Sequence, residues 1–116
     1  MNETKNFTNV EMSWATLLKQ LGPQGNDFKM FGIRPRADAK YFNARTAGEQ
    51  IVIDIAKVHS NSSEINVDRH ISFKEFKCVA GKYNDYVSGV KGTREQMRDE
   101  CGQNTSYLIS LIHYLL

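Results

Sequence analysis

The last twelve residues constrain this chain more than any other segment. From Tyr107 to Leu116, eight of ten side chains are large and apolar: Tyr107, Leu108, Ile109, Leu111, Ile112, Tyr114, Leu115 and Leu116. At 3.6 residues per turn they surround nearly the whole circumference of a helix, whereas a helix on a domain surface carries a single apolar stripe. Two architectures satisfy such a helix. Either it is central and covered by its own chain, or it meets a second copy, and twofold homodimers are the commonest soluble oligomers. Each large apolar side chain left in water forgoes about 1.5–3 kcal/mol. The expectation is therefore a homodimer with Ile109, Ile112, Tyr114 and Leu116 at its interface, with burial inside the monomer as the alternative.

The preceding segments read as helix, strands and two further helices. Residues 8–21 carry Val10, Trp14, Leu17, Leu18 and Leu21 at helical spacing. Thr8 and Glu11 stand at capping-box positions, Phe7 and Met12 at staple positions, and Gly22-Pro23 is a stop signal. Residues 28–33, 40–45 and 50–58 have the aromatic and β-branched content of strands. In the last of these, Ile51, Ile53 and Ile55 point to one face and Val52, Asp54 and Ala56 to the other, which suits a sheet covered on one side by helices. A polar connection follows, with a short strand expected at 65–67. Ser72 then opens a helix with Glu75 as its capping-box partner and Ile71 and Phe76 as its staple. Thr93, with Gln96 three residues on, opens a short helix ended by Gly102, and Asn104 caps the last one.

This order predicts an α+β fold: an N-terminal helix over 8–21, a small antiparallel sheet over 28–58, and three C-terminal helices over 72–116. With 116 residues, 41% apolar and 24% charged, the chain reads as one globular domain over 1–116 and not as a disordered one.

Two stretches suggest binding. Residues 94–111 form a helix-turn-helix-like pair, with Gly102 at the turn and Met97, Cys101, Leu108 and Leu111 at the packing positions. Arg98 and Gln103 depart from that pattern, standing where a small and an apolar residue are usual. In a DNA-binding reading, Asn104, Thr105 and Ser106 address bases while Lys91, Arg94 and Arg98 contact phosphates. Residues 105–116 contain no Lys or Arg, so a purely structural helix pair competes with this reading. The second stretch, 29–45, sets five basic residues against Asp38 alone and interleaves them with aromatics. Arg34, Arg36, Lys40, Tyr41 and Arg45 are its candidate surface for nucleic acid or an anionic small molecule; a solvated sheet face is the competing explanation. The net charge of +2 does not by itself require nucleic acid.

Catalytic chemistry has little support. His59, His70, His113, Cys78 and Cys101 show no metal-ligand spacing, and Gly22, Gly25 and Gly32 are too dispersed to cradle a phosphate. Cys78 and His70 are the one nucleophile and base close in sequence, but Cys78 and Cys101 both fall in apolar helical patterns and are expected to be unpaired core thiols. Asp54 is a lone acid. No cofactor is expected, and the reading is of a non-catalytic binding or interaction module. No apolar run approaches the roughly 18 residues of a membrane span, and residues 1–10 lack the basic and apolar regions of a leader, so no membrane partner and a cytoplasmic location are expected.

Arg69-His-Ile-Ser-Phe-Lys-Glu-Phe, Asn84-Asp-Tyr, Arg94 and Asn104-Thr-Ser-Tyr-Leu-Ile-Ser-Leu-Ile together resemble small bacterial proteins carried on mobile gene cassettes, such as those of integrons. The resemblance covers about the C-terminal half. It implies a bacterial cytoplasmic origin and brings no activity or site residue with it.

Overall fold

The computed structural model describes residues 3–116. Helix α1 (Val10–Leu21) is followed by strands β1 (Asn26–Lys29), β2 (Tyr41–Ala47), β3 (Gln50–Ile55) and β4 (Arg69–Ile71), then by helices α2 (Phe73–Val87), α3 (Thr93–Cys101) and α4 (Thr105–Leu115). The fold is α+β, with a four-stranded antiparallel sheet in the order β1-β2-β3-β4.

The β2–β3 hairpin turns through Gly48 and Glu49, and Gly48, at φ 63°, supplies the positive dihedral that a tight hairpin turn needs at its first central position. Pairing sets Phe42 against Ile55, Ala44 against Ile53 and Ile51 against Ile71. Phe42, Ala44, Ile51, Ile53 and Ile71 are buried beneath the helices. The other face carries Asp27, Asn43, Arg45, Asp54 and His70 and is bridged by the connection 56–68. The expected third strand is shorter than 50–58, because Val58 is exposed past its end. The strand expected at 65–67 is displaced to Arg69–Ile71: exposed Val67 has no core to face, whereas Ile71 is fully buried beside Ile51.

Local signals decide some helix ends and tertiary packing decides others. At α2, the Ser72 amide donates to Glu75 Oε2 at 2.9 Å and the Glu75 amide to Ser72 Oγ at 3.5 Å, a complete capping box with Ile71 and Phe76 buried across it. At α1 the cap is Asn9 and not Thr8: Asn9 Oδ1 accepts from the Met12 amide at 3.0 Å, while the Thr8 hydroxyl donates to Asn6. Met12 consequently faces solvent, and Phe7 packs edge-on against Phe76 and Tyr83. At α3, left-handed Gly92 precedes the helix and the Thr93 hydroxyl donates to the Val90 carbonyl, so the expected box with Gln96 is not formed.

Helix α4 is central. It packs against α1, α2, α3 and β1, and Tyr107 stands edge-on to Phe42. Ile109 and Ile112 are 1% and 0% exposed, so the chain itself buries both and neither is left on a surface as the interface expectation required. Leu116 is half-buried, and Tyr114 alone among the four interface candidates is exposed, at 45%.

Cys78 and Cys101 form a disulfide that ties α2 to α3 across a Cα–Cα distance of 5.5 Å. This corrects the expectation of two unpaired thiols. Helical periodicity places Cys101 in the core and Cys78 at its partly buried edge, but a separation of 23 residues says nothing about whether the two faces oppose each other. No helix among the described residues is long and apolar enough to cross a membrane.

Candidate functional site

The segment 30–40 leaves the sheet after β1 and returns at β2 as an anchored loop. The Met30 amide donates to the Lys40 carbonyl at 2.8 Å and closes the loop at its base. The Phe31 amide donates to Ser110 Oγ on α4 at 2.9 Å, and the Phe31 ring stacks face to face on His113 at 3.7 Å. The Ile33 amide donates to the Tyr86 hydroxyl of α2 at 3.3 Å. Gly32 lies between these anchors, where an added Cβ would come within 3.4 Å of that hydroxyl. Phe31 and Ile33 are thus held by side chains of two helices that themselves belong to the core.

Between loop and helices lies a cleft of about 660 Å³. Lys29, Arg34, Arg36 and Lys40 supply four cationic groups against Asp38 as the only acid, and Phe31, Tyr86, Tyr114, Ser63 and Ser106 are among the other residues of its wall. Arg36 and Asp38 approach to 3.8 Å, but both are largely exposed and such a pair is weak. Among the described residues Lys29, Arg34 and Lys40 pair with no carboxylate. Burial, and to a lesser degree neighbouring Tyr41, push the Tyr114 hydroxyl up from its ordinary pKa, so it stays protonated at neutral pH. Burial and the nearby Lys5 charge push His113 down, outweighing Glu3, which keeps its ring neutral where it stacks on Phe31.

Two residues expected on this surface stand elsewhere. Tyr41 stacks on His59 at 3.7 Å, and Arg45 meets Asp68 at 3.4 Å on the polar sheet face; neither lines the cleft. Alternation along β2 accounts for Arg45, which shares a face with Asn43 and Tyr41, while the rest of the basic stretch lies in the loop.

The helix-turn-helix candidates are largely engaged within the chain. Thr105 is 1% exposed and donates to the Gly102 carbonyl, so it cannot reach a base. Asn104 stands at the N-cap position without capping: its Nδ2 donates to Glu75 Oε1 at 3.0 Å, and its Oδ1 accepts from Arg69 at 3.4 Å. Arg94 Nη2 donates to Ser106 Oγ at 2.8 Å. Arg98 adjoins Asp99, and Lys91 is exposed. With Tyr107, Leu108, Ile109, Leu111 and Ile112 all buried, α4 has no free face to lay in a groove. The packing positions Met97, Cys101, Leu108 and Leu111 are buried, as a structural helix pair requires.

Sequence reasoning missed Asp27. Its carboxylate, 3% exposed, accepts from the amides of Lys57, Val58 and His59, from Asn43 Nδ2 and from His59 Nδ1. Burial raises its pKa, but the Lys57 amide, the Asn43 side chain and the His59 and Val58 amides outweigh that and hold the carboxyl well below the usual range. No sequence signal marks this contact, since the partners lie about 30 positions away and reach it through backbone groups. Among the described residues no group of three or more His, Cys, Asp or Glu could hold a metal ion.

A second groove of about 630 Å³ runs between residues 3–9 and α1, where Glu3 and Lys5 balance in charge and no cationic cluster forms. No family model, curated protein or solved structure matches the chain.

Proposed function

We propose that the chain is a non-catalytic binding module that takes an anionic small molecule into the cleft between loop 30–40 and helices α2 and α4. The observation that carries this reading is the convergence of Lys29, Arg34, Arg36 and Lys40 on one concavity with a single acid among them. Its volume falls inside the range of roughly 300–1,000 Å³ usual for small-molecule sites, and its mixture of cations, hydroxyls and rings supplies both charge and orientation. The anchoring of the loop favours a preformed site, so little ordering cost attaches to binding.

DNA recognition has weaker support, because α4 is enclosed, Arg94 bonds Ser106, and Asn104 bonds Glu75 and Arg69. Self-association has weaker support too, with Ile109 and Ile112 in the core.

Calorimetric titration with pyrophosphate at low and moderate salt tests the reading. Binding should weaken as salt rises, and Arg34→Ala with Arg36→Ala should reduce affinity by about tenfold or more, two charge-assisted contacts being removed. Equal affinity in the double variant would assign the cations to ordinary surface.

A further inference from the structure

Ser106 is the first residue of the cleft whose hydrogen bonds can be followed to the end. Its Oγ accepts from Arg94 Nη2 at 2.8 Å, so one lone pair faces a guanidinium. The carbonyl one turn back, that of Gly102, already accepts from the Thr105 hydroxyl at 3.0 Å. The Ser106 carbonyl accepts in turn from Ser110 Oγ at 2.9 Å. Among the described residues the Ser106 hydroxyl proton has no acceptor, and the residue lines the cleft. A hydroxyl polarised by a guanidinium and free to donate is suited to an anionic oxygen.

Charge narrows the class of anion. Lys29, Arg34 and Lys40 are free of carboxylates, and Arg36 shares one exposed acid, so the cleft holds more positive charge than one carboxylate can neutralise. A phosphate monoester, with about −1.5 to −2 charges near neutral pH and three strong acceptor oxygens, matches both the charge and the available donors. The aromatic wall adds a second requirement. One face of Phe31 is covered by His113, and the Tyr86 hydroxyl is engaged by the Ile33 amide. Tyr114 remains 45% exposed at the cleft, a ring that a flat group can stack upon.

We infer that the cleft takes a phosphate monoester of a planar-ring compound, the chemical class to which nucleoside monophosphates belong, with Ser106 donating to the phosphate and Tyr114 stacking on the ring. Arg94 is the positioning residue that turns the Ser106 hydroxyl toward the cleft. The assignment rests on the cleft being an anion site, and the test separates the two.

Adenosine monophosphate, ribose 5-phosphate and adenosine are titrated calorimetrically into the intact chain and into Ser106→Ala, Tyr114→Ala and Tyr114→Phe. Adenosine monophosphate should bind at least about tenfold more tightly than ribose 5-phosphate, the increment expected of one stacked ring. Tyr114→Ala should erase that difference, Tyr114→Phe should keep it, and Ser106→Ala should weaken both phosphates while leaving adenosine unchanged. Both phosphates binding equally, with Tyr114→Ala harmless, would overturn the ring assignment and leave the anion site standing. Phosphate affinity lost in the Arg34 and Arg36 double variant but kept in Ser106→Ala would overturn the role of Ser106. Absence of binding by either phosphate and by pyrophosphate would overturn this inference and the proposed function together. Unchanged thermal midpoints show that the variants fold.

Discussion

Asn104 Nδ2 donates to Glu75 Oε1 at 3.0 Å, joining the residue before α4 to the first turn of α2. The same Glu75 closes the capping box of α2 through Ser72, so one carboxylate organises two helix N-termini. The geometry also explains why Asn104 makes no cap of its own. Ser72→Ala should destabilise the fold by roughly 0.5–2 kcal/mol, the usual cost of losing an N-cap. Asn104→Ala should also lower stability, by about 1 kcal/mol. Urea midpoints decide both, and a Ser72→Ala midpoint equal to wild type would deny the box an energetic role.

Closing the loop between Cys78 and Cys101, 23 residues apart, restricts the unfolded chain and should contribute about 3 kcal/mol. Adding dithiothreitol should therefore lower the denaturation midpoint. A thiol count with Ellman's reagent in guanidinium without reductant should find none, and finding two would contradict the bond.

Asp27 predicts an acid-sensitive sheet face. Its folded carboxyl is held below the ordinary value, so its contribution is present above the unfolded pKa of about 3.9 and is lost as pH falls toward the folded value. Asp54, lowered first by the Lys57 side chain and then by the Ile55 amide despite its burial, acts in the same direction. Asp27→Ala should cost about 1–3 kcal/mol at pH 7, by leaving the amides of 57–59 without their acceptor, and should shrink the loss between pH 7 and pH 3 without abolishing it. Identical acid slopes in wild type and variant would refute this.

Ile109→Glu separates a core helix from an interface helix. With Ile109 1% exposed inside the chain, the charge should unfold the protein, at a cost of about 4 kcal/mol or more. Circular dichroism and sedimentation together give the answer: a folded variant, monomeric or otherwise, would place Ile109 outside the core.

Sequence alone was sufficient for several features that depend on neighbours within a few positions, although the equally local box signals at Thr8 and Thr93 did not form. The α+β order, the capping box at Ser72, the alternation of Ile51 and Ile53, and the all-round apolarity of residues 107–116 are local patterns, and each has its counterpart in the fold. Of the basic stretch, Arg34, Arg36 and Lys40 were legible as a cluster because they sit on one short loop. Tertiary structure decided everything that depends on which faces meet. It enclosed α4, so that Ile109 and Thr105 became core residues and Asn104 an internal tie. It brought Cys78 opposite Cys101, set Asp27 beneath the amides of 57–59, and added Tyr86, Ser106 and Tyr114 to the cationic loop. The physical reason is common to these cases: periodicity reports that a side chain points inward, whereas its partner is chosen by packing between segments whose separation along the chain carries no signal.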